Sequence, residues 1–193
     1  MNTPNKLTIA RIIATPFFMA ALMIEFPFHY TVALILFIAA SLTDMIDGKM
    51  ARKYNMITDF GKFLDPLAYK MLTTAAFLGF IKMGIGWQVT WIAFIVLFRE
   101  FLISSLRLVV VSSGGKVIAA NMWGKCKTVS QMAGIILALF AYVLISDFGI
   151  NNGVFVSVCN IIISILFWAS AVLCIISGVI YLKDSKEYID PSK

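Results

Sequence analysis

Apolar runs long enough to cross a bilayer recur from one end of this chain to the other. The short segments between them alternate between basic and nearly uncharged. A membrane-spanning helix needs about 20 mostly apolar residues, and six stretches meet that need. They fall near 7–25, from Tyr30 into the polar run SLTDMIDGKMARKYN, near 62–80, 87–111, 126–146 and 154–181. The breaks are a turn with Glu25, Pro27 and His29, the segment 53–61, the turn KMGIG at 82–86, and a longer connection at 112–123. Arg11 lies near the start of the first span and Pro16 predicts a kink within it. The tail KDSKEYIDPSK, 183–193, reads as soluble. The first stretch lacks a basic leader and a small-residue cleavage site, so it is expected to be retained.

Lysine and arginine set the expected orientation. One set of segments holds Lys6 and Arg11, then Lys49, Arg52, Lys53 and Lys62, then Lys116, Lys125 and Lys127, then Lys183, Lys186 and Lys193. The opposite connections hold only Lys82 as a base, with Glu25 and Asp147 as acids. This asymmetry predicts an even number of spans with both termini in the cytoplasm. With 61% hydrophobic and 13% charged residues in 193, little is left for a separate soluble domain. The expectation is one all-α integral membrane domain covering 1–193. The net charge of +6 sits in the flanks of the apolar runs. It therefore points to positive-inside topology and anionic lipid headgroups, and away from nucleic acid as a partner. Cys126, Cys159 and Cys174 show no ligand spacing and read as free thiols.

Two clusters carry chemistry. Asp44 and Asp47 are three apart and share a helix face. Asp65 opens the next span, and the short connection returns it to the same side of the membrane. Converging carboxylates repel one another and are costly to desolvate unless a cation neutralises them. Magnesium prefers such oxygens, whereas the plain structural alternative is pairing with Lys49 and Arg52. Gly48 and Gly61 remove side chains beside the acids. In the fourth span Glu100, Ser104 and Arg107 lie on one face, where Arg107 could pair with Glu100. Basic residues near the acids, among them Arg52, Lys116, Lys125 and Lys127, suit a phosphate-bearing substrate.

The pattern Asp44-x2-Asp47-Gly48-x2-Ala51-Arg52-x8-Gly61-x3-Asp65 resembles the signature of the CDP-alcohol phosphatidyltransferases. PNKLTIAR (4–11), FGKFLDPLA (60–68), REFLISSLR (99–107) and GKCKT (124–128) are similar to the bacterial phosphatidylglycerophosphate synthases within that family. The resemblance implies a six-helix membrane fold and transfer of a phosphatidyl group from CDP-diacylglycerol to sn-glycerol 3-phosphate, releasing CMP. It implies that Asp44, Asp47 and Asp65 hold two Mg²⁺ or Mn²⁺ ions. Asn5, Thr8, Gly48, Ala51, Arg52 and Gly61 would line the nucleotide side, and Arg107, Lys125 and Arg52 would grip the acceptor phosphate. It further implies a homodimer among membrane lipids, in a bacterial plasma (inner) membrane with the site facing the cytoplasm.

The chain departs from the family pattern at one place. A fourth aspartate is expected three residues beyond Asp65, as a metal ligand and as the base that deprotonates the attacking hydroxyl, and the chain has Tyr69 there. A phenol with a reference pKa of about 10 is uncharged at neutral pH and a poor substitute in both roles. Turnover is therefore expected to be impaired. The alternatives are a silent or substrate-trapping relative that binds CDP-lipid, or a member using another alcohol.

Overall fold

The structure is a computed structural model. It describes residues 2–54, 58–112, 122–150 and 152–186, leaving aside the side chains of Ala51, Arg52, Asp59 and Lys62. Six α-helices follow one another: α1 Thr3–Met23, α2 His29–Lys53, α3 Asp59–Met83, α4 Val89–Ser112, α5 Met122–Tyr142 and α6 Gly153–Asp184. A π-helical turn, Val143–Asp147, closes α5. Among the described residues four helical segments are long and apolar enough to cross a membrane: Thr3–Met23, His29–Met50, Met122–Asp147 and Gly153–Asp184. α3 and α4, the other two expected spans, carry charges along their length, including Asp65, Lys70, Arg99, Glu100 and Arg107.

Local chemistry sets where the helices begin and end. Asn2 caps α1, its side-chain oxygen accepting the Asn5 N–H at 3.2 Å, with Pro4 in the first turn, where its missing N–H costs nothing. The Thr58 hydroxyl caps α3 by accepting the Gly61 N–H at 3.0 Å. For that reason α3 starts at Asp59, earlier than the apolar run alone implies. Gly84, at φ 66°, ends α3 in the left-handed conformation glycine tolerates. Phe28, which precedes α2, makes no side-chain cap. Asp147 of the π turn supplies one instead, accepting both the backbone N–H and the hydroxyl of Thr31 at 2.7 Å. A carboxylate at a helix N-terminus also complements the helix dipole. α5 begins at Met122, so Lys125 and Lys127 lie on its first turns, in a segment the sequence reading divides between connection and span.

The chain divides into two compact units, 1–85 with 135–160, and 86–134 with 161–193. In the first, α1 packs against both α2 and α3. Its core includes Phe18, Phe37, Ala68, Phe77 and Phe80, with the rings of Phe18 and Phe37 centred 5.5 Å apart. Large apolar side chains such as Ile13, Phe17 and Ile35 remain exposed, as a hydrocarbon solvent allows. The three cysteines are free thiols.

In the second unit α5 and α6 meet where Gly134 faces Phe167. A β-carbon on Gly134 would lie 2.7 and 2.8 Å from two ring carbons of the fully buried Phe167. Overpacking of this kind costs about 1–3 kcal/mol, against a helix-propensity gain of at most about 1 kcal/mol. Gly134→Ala is therefore expected to lower the melting temperature in detergent. An unchanged midpoint would mean that the two helices separate at no cost.

Candidate active site

The site is built in the first unit from three helices. α2 presents Asp44 and Asp47 on one face, near its C-terminal end. α3, started by Thr58, carries Asp65 in its second turn, and α1 runs between them. Two α1 side chains enter the carboxylate cluster. Arg11, only 2% exposed, uses its whole guanidinium there. Its Nε donates to the Ala40 carbonyl at 3.1 Å, Nη1 to Asp44 Oδ1 at 2.5 Å, and Nη2 to Asp47 Oδ2 at 2.6 Å. The buried Thr8 hydroxyl lies 2.7 Å from Asp65 Oδ1, 3.4 Å from Asp47 Oδ2 and 3.2 Å from the Pro4 carbonyl. Having one proton, it donates to one of the three at a time.

One turn earlier on α1, Asn5 is buried and its amide donates to the Thr58 hydroxyl at 3.0 Å. Gly61 sits against this pair, and a β-carbon there would come within 2.8 Å of Asn5 Oδ1. Asn5, Thr8 and Gly61 are thus drawn together with Asp47 and Asp65. Gly48 lies in α2 directly after Asp47. Ala51 and Arg52 belong to the last turn of α2, but their side chains fall outside the described residues. Tyr69 follows Asp65 by one helical turn, with its hydroxyl oxygen buried.

The three carboxylates converge with a guanidinium among them, and the positive partner of Asp44 and Asp47 is Arg11. Among the described residues no group of three His, Cys, Asp or Glu side chains is arranged to hold a metal ion, and Arg11 pairs with both Asp44 and Asp47. Among the described residues three carboxylates stand against one guanidinium. Each acid also keeps one oxygen free of hydrogen bonds among the described residues: Asp44 Oδ2, Asp47 Oδ1 and Asp65 Oδ2. These are hard anionic donors, of the type divalent cations prefer.

Arg11 was legible in principle. Asn5, Thr8 and Arg11 recur every three residues, and a charge inside a span usually has a partner. Counted only as a topology marker, it was not linked to the acids.

The second unit holds the other cluster. Glu100 Oε1 accepts from Arg99 Nη1 at 3.3 Å and from the Lys127 ammonium, while Arg99 Nη2 donates to Ser177 at 2.6 Å. Lys127, which the sequence offers either as a flanking charge or as part of a phosphate-binding patch, is 2% exposed. Arg107 does not pair with Glu100: seven residues on, it is about 10 Å further along the helix. Its Nε is buried without a partner among the described residues, and Lys125 is exposed.

The family model for CDP-alcohol phosphatidyltransferases matches residues 1–176. The chain belongs to that family. Its reaction class is therefore phosphatidyl transfer, and divalent cations are the family's general cofactors. The chain is also similar over nearly its whole length to bacterial proteins named CDP-diacylglycerol–glycerol-3-phosphate 3-phosphatidyltransferase. The Bacillus subtilis (strain 168) protein is 36% identical over 99% of this chain and 98% of its own length. The Rickettsia bellii (strain RML369-C) protein is 37% identical over 97% of each chain. That of Haemophilus influenzae Rd is 34% identical over 96% of this chain and 94% of its own. A multi-pass membrane transferase of phospholipid biosynthesis is what the family, the helices and their apolar surfaces describe together.

Proposed function

We propose that this phosphatidyltransferase moves the phosphatidyl group of CDP-diacylglycerol to sn-glycerol 3-phosphate, giving phosphatidylglycerophosphate and CMP. The observation that carries this reading is the convergence of Asp44, Asp47 and Asp65 on Thr8 and Arg11. The relatives' shared name supports the donor and the acceptor. In the reaction an acceptor hydroxyl forms a bond to the phosphatidyl phosphorus, the pyrophosphate bond to CMP breaks, and the hydroxyl proton leaves to a base.

Asp44, Asp47 and Asp65 would hold the divalent ions, Mg²⁺ or Mn²⁺ and two in number. When bound, these ions supply charge neutralisation at the pyrophosphate. Asn5, Thr8, Gly48, Ala51, Arg52 and Gly61 line the nucleotide side, where Gly61 leaves room against Asn5 that a β-carbon would fill. Arg107, Lys125 and Arg52 take the acceptor phosphate by charge-assisted hydrogen bonds. The whole chain acts as one membrane domain of six spans, with both termini and the site facing the cytoplasm of a bacterial plasma membrane, and it works as a homodimer. This placement lets a water-soluble alcohol meet a donor whose acyl chains stay in the bilayer.

Tyr69 favours a second reading. A phenol at the position of the family's base makes the chain slow or silent, retaining CDP-lipid without turning it over. A member using a different alcohol is the third possibility. CMP release by the purified protein with CDP-diacylglycerol and Mg²⁺ tests the acceptor. Release that rises with glycerol 3-phosphate, and not with serine or inositol phosphate, is the expected result. Release driven by another alcohol would reject the acceptor assignment.

A further inference from the structure

We infer that Arg11 is a built-in counter-cation of the carboxylate cluster, a positioning residue that competes with the divalent ion for Asp44 and Asp47. This rests on the proposal that Asp44, Asp47 and Asp65 hold that ion. The geometry is unusually complete for one side chain. Every guanidinium nitrogen is engaged, to Ala40 O, Asp44 Oδ1 and Asp47 Oδ2, and the group is buried against the α1/α2 interface. The backbone beneath it is tied down as well, since the Thr15 hydroxyl donates to the Arg11 carbonyl at 2.9 Å. Arg11 is thus held by three hydrogen bonds in a buried position.

Three consequences follow from that fixed charge. Arg11 holds one oxygen of Asp44 and one of Asp47, so each acid can offer only its second oxygen to a cation. It offsets the mutual repulsion of the acids when no ion is bound, which lets α1, α2 and α3 pack without one. It also repels any divalent cation seated on the same carboxylates, most strongly at the buried Asp47, where screening by solvent is weakest. The protein therefore exchanges cation affinity for a site that is ordered before the cation arrives.

The test is Mn²⁺ binding to the full chain in detergent, read by the loss of the free-ion EPR signal with no substrate present. Arg11→Gln removes the charge while keeping a hydrogen-bonding side chain. It is expected to bind Mn²⁺ at least about tenfold more tightly than the parent protein. Arg11→Lys keeps the charge but loses the planar fork, so it cannot hold both acids and the Ala40 carbonyl together. It is expected to show an intermediate gain of about threefold. It also answers the question if the glutamine variant fails to yield monodisperse protein. A parent protein that binds Mn²⁺ saturably while both variants bind it equally or more weakly would overturn the inference and leave the metal assignment standing. If parent and variants alike show no saturable binding, the metal assignment fails and the inference fails with it. A residue that only held helices together would lower the melting temperature on substitution without tightening Mn²⁺ binding.

Discussion

Replacing Tyr69 by aspartate should raise the rate of CMP release by about 10²–10⁴-fold, the usual contribution of a positioned general base. Tyr69 stands one helical turn beyond Asp65, on the α3 segment that Thr58 caps and α1 buttresses. A phenol has a reference pKa of about 10 and carries no charge at neutral pH as a rule, which makes it a poor substitute for a carboxylate base. Aspartate there would add a fourth carboxylate to a cluster that Arg11 only partly neutralises, and so would strengthen cation binding as well. The measurement is a rate with CDP-diacylglycerol, Mg²⁺ and glycerol 3-phosphate, compared between the two forms. Equal, substantial rates would mean that another group takes the proton. No rate in either form would count against the acceptor or against the enzyme reading itself.

The second large effect is expected at Asp65. Asp65→Asn should abolish metal-dependent binding of CDP-diacylglycerol while leaving the fold nearly as stable as before. The contrast with Asp47 makes this the cleaner experiment. Asp47 is buried and pairs with Arg11, so neutralising it leaves a buried guanidinium undercompensated, at a cost of about 3–5 kcal/mol. Among the described residues Asp65 accepts from the Thr8 hydroxyl alone, and an asparagine Oδ1 can still accept that bond. Lost affinity in Asp65→Asn can therefore be ascribed to the missing charge rather than to unfolding. Binding that persists with undiminished Mg²⁺ dependence would sink the metal role of this residue.

Much of this was legible in the sequence, because membrane helices have few ways to satisfy their backbone. Apolar runs and glycine turns located all six helices, and the fixed spacing from Asp44 to Asp65 located the acids. What sequence could not supply was which partners the charged groups would choose. Arg107 and Glu100 share a helix face, which made them look like a pair, yet Lys127 reaches Glu100 from another helix. Arg11 counted toward topology because nothing local reveals that α1 passes between Asp47 and Asp65. In both cases the reason is the same: spacing within a helix is visible in a string of letters, whereas the approach of one helix to another is decided by packing.

The Thr58 hydroxyl has a consequence beyond starting a helix. Its oxygen accepts from the Gly61 N–H and from the Asn5 amide, both at 3.0 Å, which uses both of its lone pairs. α1 and α3 are thereby pinned to a common register by a single atom. A sliding of α1 along its own axis would break the Asn5 bond to the residue that caps α3, and Asp65 is carried by the turn that follows that cap. The seating of α1 against α3 is in this way tied to the placement of a carboxylate in the candidate site.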